Sequence, residues 1–144
     1  MKEKGVYLVP TRGLATIIEP MIDKMDPVMA GKANYVMPIA KQNLIKTIKA
    51  DVKIAFGTDT PIIPHGKNAI EFTALMECGM SAKEAIKTAT TNSAEMLGLT
   101  DRGEIKEGLL ADIIAVDANP IDDISTLENV KFVMKNGIIY KNEK

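Results

Sequence analysis

Apolar positions along this chain follow two regimes. Up to about residue 100 they recur mostly at helical spacing, interrupted by two short continuous apolar runs. The first run, Gly5-Val-Tyr-Leu-Val-Pro-Thr11, reads as a short strand closed by Pro10, which has no N–H to give a ladder. Leu14, Ile17, Ile18, Met21, Ile22 and Met25 are spaced as one helix face, with Pro20 expected to break or kink it. Asp26-Pro27 and Gly31 punctuate a loop. Leu44, Ile45 and Ile48 predict a helix from about Pro38 to Ala50, with proline at its start. The second run, Ile54-Ala-Phe56 within Val52 to Thr60, suits a parallel strand covered on both faces. Strand, helical segment, strand is the βαβ order of a parallel sheet.

After that strand the helical regime resumes. Ala69 to Cys78 predicts a helix with Ile70, Phe72, Thr73, Leu75 and Met76 on or near its buried side, stopped by Gly79. Ser81-Ala-Lys-Glu84 is a capping box that opens a helix through Ala89. Thr91 begins another, ending at Gly98. Beyond residue 100 the pattern shortens into strands at Gly103–Ile105 and Ala111–Asp117, a turn at Asn119-Pro120 and a loop over 122–127. Two further strands, 130–135 and 138–141, flank Asn136-Gly137, the strongest short hairpin signal. The residues therefore predict a helix-rich α/β portion, 1–100, followed by a small antiparallel β portion, 101–144.

Composition narrows the function classes. The 144 residues are about one domain's length, 46% hydrophobic and 26% charged, as in an ordinary globular protein. A net charge of −1 without a Lys/Arg block argues against nucleic-acid binding. No apolar stretch approaches the roughly 20 residues needed to cross a bilayer, and Met1 to Gly5 lacks a signal peptide's apolar segment. The single cysteine, Cys78, excludes an internal disulfide framework and fits a reducing cytoplasm. With no base partner in view, it reads as a small apolar residue near a helix end rather than a nucleophile.

The candidate chemistry gathers around Gly57-Thr-Asp59. Gly57 permits close backbone approach, and Asp59 falls where the strand gives way to a loop, the end of parallel strands that carries chemistry. Asp also starts turns and caps helices, so the residue alone leaves both readings open. Thr58 and Thr60 either orient that carboxylate or make local turn hydrogen bonds. With one histidine and one cysteine, the chain cannot assemble a self-contained His/Cys zinc site. No Gly-x-Ser-x-Gly elbow, phosphate-binding loop or dinucleotide fingerprint is present.

The order of motifs resembles the C-terminal part of the amidohydrolase superfamily, in the branch of imidazolonepropionase-like and Xaa-Pro dipeptidase enzymes. The resemblance lies in Gly5-Val-Tyr-Leu-Val-Pro-Thr11, Ile54-Ala-Phe-Gly-Thr-Asp59, Pro64-His-Gly66 with Asn68-Ala69, and Ala85-Ile-Lys-Thr-Ala-Thr90 with Asn92-Ser-Ala94. Gly103-Glu-Ile-Lys-Glu-Gly-Leu-Leu-Ala-Asp-Ile-Ile-Ala-Val-Asp117 and Val133-Met-Lys-Asn-Gly-Ile138 complete it. It implies an α/β fold, a C-terminal fragment of a metal-dependent (β/α)8 barrel plus part of a small β-sandwich. Segments 5–9 and 53–58 would be barrel strands seven and eight, and Gly103 to Asn142 the sandwich portion.

By resemblance, Asp59 matches the strand-eight Asp that binds a divalent metal, zinc above all, and takes a proton from the hydrolytic water. His65 falls at the pocket rim, either contacting substrate or bonding loop backbone. Arg12 is a candidate partner for a substrate carboxylate, though an Arg at such a place is more often on the surface. The family's His-x-His, carboxylated Lys and further His ligands would precede residue 1. The expectation is thus one part of a prolidase-like hydrolase of amide or peptide bonds, acting on small-molecule or dipeptide substrates. On its own it should bind no metal and be inactive, needing the missing N-terminal barrel portion. The competing reading is a non-enzymatic remnant or homo-oligomeric interaction module, with open strand edges pairing between copies.

Overall fold

The computed structural model describes residues 1–60, 62 and 64–143. Lys144, the last residue of the expected 101–144 portion, lies outside the described residues. A 3₁₀ turn at Lys2–Lys4 leads into the first apolar run, and helix α1 follows at Gly13–Ile18. Pro20 stops α1 as expected: it cannot supply the N–H a continuing helix needs, and the chain tightens into a 3₁₀ helix at Glu19–Lys24.

Helix α2, Pro27–Lys49, overturns the expected loop at 26–31. Asp26 is its N-cap, accepting from the Val28 amide at 2.9 Å, and Pro27 occupies the first turn, where a missing N–H costs nothing. The helix runs through Gly31 and Pro38, so it starts 11 residues earlier than the spacing of its C-terminal half predicts. Pro38 is on the exposed side.

Helices α3 (Ile70–Glu77), α4 (Ala82–Ala89) and α5 (Thr91–Met96) lie where their patterns place them. α3 ends in a Schellman arrangement. The Gly79 amide donates to Met76 O at 2.9 Å and the Met80 amide to Leu75 O at 3.3 Å, with Gly79 at φ 99°. The capping box at Ser81 and Glu84 is formed in both directions.

The two apolar runs before residue 60 meet in a single parallel bridge, Leu8 with Ile54. The Leu8 amide donates to Lys53 O at 2.9 Å, and the Ala55 amide donates to Leu8 O at 3.0 Å. Ile54 packs with Leu44, Leu75, Cys78, Met80 and Ala85, flanked by Leu8, Phe56 and Phe72. The bridge is therefore buried between α2 and the α3–α4 pair, as the uninterrupted apolar run requires.

The remaining strands form an antiparallel sheet in the order β1 (Ile113–Ala115), β2 (Phe132–Lys135), β3 (Ile138–Asn142). The β2–β3 turn has φ 50° at Asn136 and 75° at Gly137, the left-handed pair that fits the strand twist. No strand forms at 103–105. Ile105 is 85% exposed, and Gly103 instead backs onto α5, where a Cβ would stand 2.9 Å from Ala94 Cβ. The expected loop at 122–127 contains a 3₁₀ helix, Ile124–Glu128, capped by Asp123. Its Ile124 and Leu127 pack with Ala82, Phe72 and Met76, joining this portion to α3 and α4.

Candidate functional site around Asp59

The site is built from the strand outward. Ile54, Ala55 and Phe56 have one edge on Leu8; their other backbone groups are taken by α4 and α5. Asn92 Nδ2 donates to Ile54 O at 2.9 Å, and the Phe56 amide donates to Thr88 O at 3.0 Å and toward Ser93 Oγ at 3.3 Å. Ser93 Oγ in turn donates to Thr88 O at 2.6 Å. The Ala85–Ala94 motif thus supplies side-chain and backbone partners along the second edge of this run, which pairs with no other run among the described residues, satisfying groups that would otherwise be buried unpaired. Sequence reading identified the motif but not this task.

Gly57 takes the close approach its identity suggests: a Cβ there would come within 2.4 Å of Val9 Cγ1. Two residues on, Asp59 turns left-handed at φ 54°, a conformation Asp tolerates better than most residues, and the run ends. The residue is exposed. Thr58 and Thr60 bond each other, Oγ1 to Oγ1 at 2.9 Å, so their hydroxyls make a local contact. His65 lies on the same loop, exposed in a turn at 65–66.

Arg12 is placed differently from the usual surface arginine: it is 7% exposed and its Nη2 meets Glu19 Oε1 at 2.6 Å. Its Nε has no partner among the described residues. Next to it is a residue that sequence reading missed. Glu71, fully buried on the first turn of α3, accepts the Arg12 amide at 3.1 Å and the Gly13 amide. Burial pushes its carboxyl up to about 7, against the two amides and the Arg12 charge, which pull it down. A lone Glu within an apolar helix pattern gives no sign that its partners stand nearly 60 positions earlier. Cys78 is buried, and burial pushes its thiol up, which suits the inert role expected of it.

A cleft of about 360 Å³ elsewhere, lined by Gly5, Lys53, Glu84, Lys87 and Asn92, does not include Asp59. It borders the N-terminal side of the paired runs, the face associated with stability rather than chemistry in parallel folds.

The chain matches the amidohydrolase family model over residues 1–139. This chain belongs to the amidohydrolase family. Among curated amidohydrolase-type relatives, the ochratoxinase of Aspergillus niger is 36% identical over 152 residues, covering 98% of this chain and 30% of that protein. A 5-methylthioadenosine/S-adenosylhomocysteine deaminase from Caldicellulosiruptor saccharolyticus is 30% identical over 106 residues, covering 65% of this chain. Among solved structures, a Xaa-Pro dipeptidase with methionine bound in its active site superposes with a TM-score of 0.90 at 40% identity. That match covers 97% of this chain and 36% of the dipeptidase. The chain spans about a third of the relatives it matches, in their C-terminal part.

Amidohydrolases are generally metal-dependent. Among the described residues, no three His, Cys, Asp or Glu side chains converge as a metal site. A hydrolytic zinc takes three protein ligands and a water, so these residues by themselves do not fit the metal. What Asp59 offers alone is an exposed carboxylate able to accept a proton or a hydrogen bond.

Proposed function

We propose that this chain is the C-terminal part of a prolidase-like amidohydrolase, with Asp59 its contribution to a hydrolytic metal site and His65 at the rim of the substrate pocket. The observation that supports this reading best is the position of Asp59. It ends a buried run paired in parallel with the preceding one, in a chain similar over nearly its whole length to a Xaa-Pro dipeptidase. The remaining ligands would come from protein outside these residues, and the barrel would be completed by it. Substrates would be dipeptides or other small amides.

The surface is consistent with a missing neighbour. On the N-terminal half of α2, Val28, Met29, Tyr35, Val36 and Ile39 are all exposed, Tyr35 by 72%. They recur at helical spacing, a stripe that a covering surface would bury. The same stripe supports the second reading, a module that associates with its own copies.

Two measurements test these readings. The chain alone, supplied with zinc or manganese, should not hydrolyse Xaa-Pro dipeptides above background; clear turnover would overturn the need for further ligands. Light scattering at micromolar concentration should show association, and a stable monomer would count against the homo-oligomer.

A further inference from the structure

Residues 59–69 leave the core at Asp59 and return to it at α3. Both ends rest on one short segment, 9–13. At the near end, Gly57 backs onto Val9 with no room for a Cβ. At the far end, Glu71 holds the amides of Arg12 and Gly13, and Gly13 is packed so closely that a Cβ there would meet Glu71 Oε2 at 2.9 Å. Between these anchors the described residues are tied by local backbone bonds: the Ile62 amide reaches Asp59 O at 3.4 Å, the Lys67 amide reaches Pro64 O at 3.1 Å, and the Ile70 and Glu71 amides reach back to Lys67 O and Asn68 O at 3.2 Å.

We propose that Glu71 is a positioning residue for the Asp59 loop, fixing the start of α3 on the Arg12–Gly13 backbone so that both ends of the loop share one support. A carboxylate suits this task better than any neutral side chain. Two parallel amide donors need two acceptor oxygens, and glutamine would turn an NH2 donor toward one of them. Protonation would likewise convert one oxygen to a donor. The grip should therefore change as the carboxyl titrates around pH 7. The charged groups facing it are Arg12 and, through Arg12, Glu19; Cys78 at the end of α3 also feels both Arg12 and Glu71. The functional meaning rests on Asp59 being the site carboxylate, but the mechanical claim does not.

The test is backbone NMR and amide exchange on the full chain carrying His65→Gln. The Arg12 and Gly13 amides and those of 58–60 and 65–70 should titrate together near pH 7. Glu71→Gln should abolish that titration and speed exchange at Gly13, Lys67 and Ile70 about tenfold or more, with α4 and α5 within about twofold. Should Glu71→Gln fail to fold, Gly13→Ala keeps the carboxylate but crowds it, and should move the same loop resonances. Titration at Gly13 with the loop flat would overturn the proposal, leaving Glu71 as a cap for α1. So would a uniform rise in exchange across α4 and α5, or Gly13→Ala leaving the loop unmoved. Because hydrolysis is not read, these results do not depend on the amidohydrolase assignment of the site.

Discussion

Segment 54–56 and the loop that follows it differ sharply in how the chain supports them. The segment is buried on α2 and α3, bridged to Leu8 on one edge and held on the other by Asn92, Ser93 and the Thr88 carbonyl. The described residues of the loop from Asp59 to Asn68 are largely exposed. Stability and candidate chemistry are thus separated by two residues: the scaffold ends at Gly57, and the Asp59 carboxylate stands just past it. That division is the usual one for a functional loop on a rigid support.

The largest effect should come from the support. Ile54→Ala removes a buried branched side chain and should cost about 2–5 kcal/mol in urea denaturation. A cost below about 1 kcal/mol would show the bridge to be peripheral. Next is the pH dependence of Glu71. With its carboxyl raised to about 7 from 4.5, the folded state holds a proton that the unfolded chain releases. Relative to the unfolded chain, the fold is therefore favoured by up to about 3 kcal/mol more below about pH 4.5, an advantage lost as pH rises through about 7, because desolvating the ionised carboxyl costs more than its two amide bonds return. Urea midpoints at pH 5 and pH 8 should differ in that sense for the wild type, and much less for Glu71→Gln. Asn92→Ala leaves the Ile54 carbonyl without its donor and should cost about 1–3 kcal/mol. The smallest effects belong to the loop: Asp59→Asn and His65→Ala should each change stability by no more than about 0.5 kcal/mol. A large loss at either would erase the contrast between support and loop.

Much of the support was legible in sequence because its signals are local. Gly79 after α3, the Ser81–Glu84 box and Asn136-Gly137 each act within a few residues, and the pattern around each of them located its element. Asp26-Pro27 was equally local but ambiguous, since the same pair marks a turn or a capped helix start. A 23-residue helix decided it, running through Gly31, read as loop punctuation, and through Pro38, read as a helix start. The expected strand at 103–105 pairs with nothing among the described residues. Glu71, and the tasks of Asn92 and Ser93 within their motif, were invisible for another reason: their value lies in contacts about 37 to 59 positions away, which no spacing rule reports. Burial of Arg12 was missed on the same ground, although its ion pair with Glu19 is seven positions away. For the site, the strand-end placement of Asp59 could be read; its surroundings could not, because they are not made by neighbouring residues.

The central claim is that Asp59 is one working member of a site completed by other protein. The direct measurement is Xaa-Pro dipeptide hydrolysis by a chimera in which this chain replaces the matching third of a Xaa-Pro dipeptidase, with and without Asp59→Asn. The account predicts a metal-loaded, active chimera whose kcat/KM falls by about 100-fold or more in the substituted form, as expected for loss of a proton-transfer group. Equal activity in the two forms, with the same metal content, would contradict it.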